Sequence, residues 1–133
     1  MKLTGRKIYA GTAQGEALVT DEAISFFGGV DAESGVIVEK GHPLEGQSVA
    51  GKVLVFSTGK GSTVGSYTLY RLKHAGCAPT AIVNAECEPI VAVGCIIAEI
   101  PCVDHLPIGQ IPAGAWLRVD GEQGTVEIVA QTG

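Results

Sequence analysis

Apolar residues along this chain fall into short runs separated by glycine-rich turns. Residues 6–11 and 16–20 read as two short strands, with Gly11-Thr12-Ala13-Gln14-Gly15 turning between them. Residues 23–30 are less regular: Phe26-Phe27 supplies aromatic anchors and Gly28-Gly29 a tight bend. Residues 35–39 predict another strand, and His42-Pro43-Leu44-Glu45-Gly46 a turn-rich connection. Val53-Leu54-Val55-Phe56 is apolar at every position, as expected of a strand buried on both faces.

Beyond that strand the pattern changes. Ser57-Thr58-Gly59-Lys60-Gly61-Ser62-Thr63 is a small, polar, glycine-rich loop. It leads into residues 64–74, where Leu69, Leu72 and Lys73 with Tyr70 fit one side of a helix and Gly76 stands where a C-terminal cap belongs. Ala81-Ile82-Val83-Asn84 then predicts a second buried strand, completing a β–loop–α–β crossover. Residues 88–93 suggest a helical turn, 95–98 a short strand, and Pro101-Cys102-Val103 the start of another. Residues 116–119 and 125–129 flank Asp120-Gly121-Glu122-Gln123-Gly124 as a hairpin, with Trp116 assigned to the core. Strands outnumber helices, so the fold class is a β-rich α/β domain of layered sheets and a few helices, spanning residues 1–133.

Composition sharpens this picture. Nineteen of 133 residues are glycine, about twice the usual share of roughly 7%, which favours turns over long helices. Three Phe, three Tyr and one Trp leave the core to aliphatic side chains. A net charge of −5 without a block of Lys or Arg argues against nucleic acid as a partner. The longest mostly apolar run, residues 89–100, is well short of the roughly twenty residues of a membrane span. The polar N-terminus gives no secretory signal, and the expected location is cytoplasmic. Cys77, Cys87, Cys95 and Cys102 form no C-x-x-C pair and have no zinc-finger spacing to histidine. They read as buried packing thiols, with no cofactor or metal bound by this chain.

The loop before the first long helix is the segment with chemical potential. Backbone N–H groups and the helix dipole at such a junction favour an anion or a developing oxyanion. Lys60 adds a charge, and Ser62 and Ser66 place hydroxyls near that end. Gly61 separates Lys60 from Ser62, so the nucleotide-binding pattern G-x-x-x-x-G-K-[ST] is not met. A purely structural role, with Ser62 as helix N-cap, accounts for the same residues.

The runs Phe26-Phe27-Gly28-Gly29-Val30-Asp31, His42-Pro43-Leu44-Glu45-Gly46 and Gly59-Lys60-Gly61-Ser62-Thr63-Val64-Gly65-Ser66 together resemble the small subunit of the aconitase X family. Ala78-Pro79-Thr80-Ala81-Ile82-Val83 and Ile100-Pro101-Cys102-Val103 continue the resemblance in order, and it runs from about residue 5 to residue 129. It implies a swivelling β/β/α domain. The implied activity, for a free-standing chain of this length, is dehydration of (R)-5-phosphomevalonate to trans-anhydromevalonate 5-phosphate in archaeal isoprenoid synthesis. Fused members of the family act instead on a hydroxyproline. The resemblance also implies a large subunit carrying an iron–sulfur cluster, as a heterodimer or higher assembly, and a small-molecule substrate. Ser62 would be the proton acceptor, with Gly61, Lys60 and Ser66 as substrate-binding candidates. One departure stands out: the ordinary aconitase loop has an arginine after its serines, where this chain has Thr63-Val64.

Two other readings stay open from the sequence. Ile111-Pro112-Ala113-Gly114 and residues 119–128 resemble the end of phosphohistidine swivelling domains, although the matching loop holds Ser62 and no histidine. A non-catalytic module that binds and regulates a partner is compatible with the same residues.

Overall fold

The computed structural model describes residues 1–130. One eight-stranded sheet has the spatial order β1-β8-β7-β3-β4-β5-β6-β2. Its strands are β1 (Lys2–Thr4), β2 (Arg6–Tyr9), β3 (Thr12–Val19), β4 (Val53–Phe56), β5 (Ala81–Asn84), β6 (Cys102–Asp104), β7 (Trp116–Asp120) and β8 (Thr125–Ala130). The helices are α1 (Phe26–Gly29), α2 (Gly65–His74) and α3 (Pro89–Ala98). Strands β3, β4, β5 and β6 run parallel, whereas β7, β8 and the edge strands pair antiparallel.

Side-chain alternation in the central strands explains the layers. Leu54, Phe56, Ile82 and Cys102 point into one core, shared with Phe26, Leu69, Leu72, Val91 and Cys95 of the helices. Val53, Val55, Ala81, Val83 and Val103 point into a second core, shared with Leu3, Leu117, Val119, Val126 and Ile128. The sheet therefore folds back so that β1, β7 and β8 cover the face of β4, β5 and β6 opposite the helices. Central strands that are apolar throughout are the direct consequence of burial on both faces. This is the expected β/β/α arrangement, and β4–α2–β5 is the expected parallel crossover. Among the described residues, no helix is long and apolar enough to cross a membrane.

Several local expectations are corrected. Residues 95–98 are the end of α3, not a strand. Glu88 accepts hydrogen bonds from the N–H groups of Ile90 (3.0 Å) and Val91 (2.9 Å), and Pro89 occupies the first turn, so the apolar run propagates as a helix. Residues 35–39 form only isolated bridges, Val30 to Ile37 and Val36 to Ser48, and not a strand of the sheet. Thr12–Gly15 is not a turn but the start of β3, paired with β7. Trp116 lies outside the core: it alternates with buried Leu117, and its indole N–H donates to Gln14 Oε1 at 3.1 Å. In α2, Leu69 and Leu72 are buried whereas Tyr70 and Lys73 are exposed.

Candidate active site

The loop carrying Ser62 leaves the C-terminal end of β4, and its base is held firmly. Buried Asn84 of β5 donates from Nδ2 to the Phe56 carbonyl at 3.1 Å. The Ser57 carbonyl accepts from the N–H groups of Ala85 (3.1 Å) and Glu86 (3.0 Å). Residues 58–60 then add to the segment before α1: Ile24 N–H donates to the Thr58 carbonyl and Lys60 N–H to the Ile24 carbonyl, both at 3.1 Å. A side chain at Gly59 would collide with the Glu88 carboxylate and with Val91. The carboxylate that caps α3 thus also walls the loop.

Gly61 has φ +89°, and a Cβ there would meet the Ser25 hydroxyl. Only glycine adopts this backbone beside that neighbour without strain. Gly65 lies against Ile90 and the backbone of Phe27, which lets α2 start close to both other helices. Between these two glycines, Ser62 is exposed. Its Oγ accepts from the Val64 N–H at 3.2 Å, and its carbonyl accepts from the Gly65 N–H at 2.9 Å. Among the described residues, the N–H groups of Gly61, Ser62 and Thr63 have no acceptor. Together with the α2 dipole they favour negative charge at the loop that carries Ser62.

The other expected site residues divide. Lys60 is half-exposed and its Nζ lies 3.1 Å from Glu39 Oε2, so its charge stands beside a carboxylate. Ser66 is buried and its hydroxyl donates to the Ile90 carbonyl at 2.6 Å. That proton is engaged in holding α2 to α3, and the geometry lends no support to direct substrate binding by Ser66. None of the three histidines stands in the loop. His42 is buried, with Nδ1 accepting from the Leu44 N–H and Nε2 facing the Ala23 carbonyl, each at 3.1 Å. His74 stacks edge-on against Tyr70. His105 has φ +59°, the backbone turn that brings it within 3.0 Å of Glu86.

Sequence reasoning missed Ser25, Glu39 and Glu88 around the loop. Only Glu88 left a signal, as an acidic residue directly before proline and an apolar run. It also missed Arg6, which clamps buried Asp104 with bonds of 2.9 and 2.7 Å. Burial alone pushes the Asp104 carboxyl up, but Arg6 and the Cys87 N–H outweigh it and hold the group below its ordinary value. Glu86, Asp104 and His105 lie near one another, but the guanidinium already occupies the Asp104 carboxylate, so the cluster is organised around the Arg6–Asp104 ion pair. The four cysteines are buried free thiols. A hydrogen bond to Cys102 (3.9 Å between sulfurs) and burial push the Cys87 thiol up, which keeps it protonated.

Known proteins share both sequence and fold with this chain. The aconitase X swivel domain family matches residues 2–128. The phosphomevalonate dehydratase small subunit of Methanosarcina acetivorans is 52% identical, covering 100% of this chain and 94% of its own length. The subunit of the same name from Thermococcus kodakarensis is 50% identical, covering 97% of each. The crystal structure of Thermococcus kodakaraensis aconitase X in its holo form is similar with a TM-score of 0.95 at 50% identity, covering 97% of this chain and 98% of that one. A match that extends along nearly all of the sequence and the entire layered fold leads to one conclusion: the chain belongs to the aconitase X family and is built as its swivel domain.

Proposed function

We propose that this chain is the small subunit of a hydro-lyase that dehydrates (R)-5-phosphomevalonate to trans-anhydromevalonate 5-phosphate, with Ser62 as the proton acceptor. The substrate follows from the names of relatives at about 50% identity over nearly full length. The observation that carries the residue assignment is the Ser62 hydroxyl, exposed at the mouth of α2 in a loop where three backbone N–H groups have no acceptor among the described residues. A serine hydroxyl is a weak base in water; unpaired donors and a helix dipole around it stabilise the anion that it must become. The Ser62 oxygen takes the proton from the carbon alpha to the carboxylate. The electron pair of that C–H bond forms the double bond as hydroxide leaves the next carbon; the proton taken by the Ser62 alkoxide passes on to this hydroxide, which departs as water and restores the alkoxide. Lys60, drawn to Glu39, places a cation at the loop for the substrate's anionic groups.

The remaining half of the site belongs to a large subunit in a cytoplasmic enzyme. An iron–sulfur cluster does not fit the cysteines of this chain, which are free thiols buried in the helix-side core. On this reading the cluster lies in the partner, where it would supply Lewis-acid activation of the leaving hydroxyl.

Replacing Ser62 by alanine and mixing the variant with the cognate wild-type large subunit tests the assignment. The complex is expected to assemble normally while kcat falls about 100-fold or more. Near-normal turnover in a complex of normal stability overturns it.

A further inference from the structure

Helix α3, Pro89–Ala98, has the sequence PIVAVGCIIA, without one charged or amide side chain. A helix that is apolar on every side is normally buried all round, yet this one covers only Val91, Gly94, Cys95 and Ala98. Val93, Ile96 and Ile97 face outward, with Ile96 51% exposed. Helix α2 continues the strip with Tyr67, 64% exposed, and Tyr70. Between the helices runs an open groove of 310 Å³ lined by Thr63, Val64, Tyr67, Ile90, Val93 and Ile97. Among the described residues, no charged side chain lines it. Apolar strips of this kind on one face mark protein-binding surfaces.

The position of the groove selects the occupant. Its lining includes Thr63 and Val64, the two residues directly after Ser62. Any chain lying in it therefore passes beside the loop that carries Ser62. A second copy seated there by twofold symmetry would set one Ser62 loop against the other and shut out the chain that completes the site. On the reading of this protein as a small subunit, we propose that the α2–α3 groove is the seat of the large subunit, which inserts an apolar ridge between the helices and so brings its half of the site over Ser62. Phe27, exposed where its backbone abuts Gly65, closes the same surface on the α1 side.

Calorimetric titration of the purified chain with its cognate large subunit tests this. Ile96→Glu is expected to weaken binding about 100-fold and Tyr67→Ala about tenfold. Val129→Glu, at an exposed apolar position on β8, leaves affinity unchanged. Wild-type affinity changes less than about threefold between 0.1 and 0.5 M salt, because the contact is apolar. Circular dichroism and melting of each free variant monitor folding; should Ile96→Glu unfold, Tyr67→Ala carries the test, since its side chain lies largely outside the core. Unchanged affinity in the folded variants overturns the proposal. So does sedimentation showing that the chain alone dimerises and that Ile96→Glu abolishes the dimer. If Ser62→Ala retains turnover while Ile96→Glu loses binding, the catalytic assignment fails and the docking surface stands.

Discussion

Gly61 and Ser25 are thirty-six positions apart in the chain, yet together they set the path of the loop around Ser62. Alanine at Gly61 faces two penalties: a φ of +89° that disfavours any Cβ, and a collision with the Ser25 hydroxyl. Gly61→Ala is expected to assemble with the large subunit but to lose about tenfold to a hundredfold in kcat, as the Ser62 oxygen moves. Adding Ser25→Gly removes the collision and leaves the backbone strain, so steady-state kinetics of the double variant should show partial recovery. Full activity in Gly61→Ala would mean that the loop path is immaterial to turnover. The Gly61-Ser62 pair was legible because it is contiguous and lies between a buried strand and a periodic helix. Ser25, Glu39 and Glu88 were not legible as neighbours of the loop, because nothing local marks contacts across such separations.

The elements show how local signals compete. Helix α2 ends as its sequence predicts: Gly76 (φ +76°) donates to the Lys73 carbonyl at 3.2 Å, and Cys77 to the Leu72 carbonyl at 3.0 Å. In α3 the aliphatic run suits strand or helix equally by composition, and periodicity does not separate short buried segments of either kind. The decision lies at its ends, with the Glu88 side chain satisfying two orphan N–H groups and Glu99 in a left-handed conformation (φ +55°) that stops the helix. Glu88→Ala is expected to destabilise the fold by about 1 kcal/mol and lower the melting temperature by about 3–5 °C, readable by thermal denaturation. An unchanged melting temperature would assign the cap no weight. Gly94 has a different role. A Cβ there would strike Leu69, so the close approach of α2 and α3, and with it the shape of the groove, depends on a missing side chain.

On the scale of the whole molecule, the sheet's two edge strands are adjacent in sequence but lie at opposite ends of the strand order. Only Gly5 separates them, and its N–H donates to the Gly124 carbonyl at 2.8 Å. Gly121 N–H donates to the Gly11 carbonyl at 2.7 Å, so the β7–β8 connection also meets the start of β3. Arg6 then reaches Asp104 across the β2–β6 ladder. Because Asp104 is held below its ordinary value of 3.8, its contribution to stability is fully present above that value and is lost as pH falls through the lower, folded-state value. Arg6→Gln removes the cation and leaves burial to push the carboxyl up, so acid unfolding should begin at higher pH. Fluorescence of Trp116 during acid titration measures it; coincident wild-type and variant curves would show that the clamp carries no pH dependence.

The buried strands, α2 with its glycine stop, the closing hairpin and the Ser62 loop were determined by the sequence itself, because hydrophobic period and turn residues act within about a dozen positions. Strand order, the second core, the Lys60–Glu39 pair and the Arg6–Asp104 clamp were decided only by tertiary structure. Those two pairs are 21 and 98 positions apart; one joins two loops outside the sheet and the other crosses the β2–β6 ladder, and no local pattern encodes contacts at such separations.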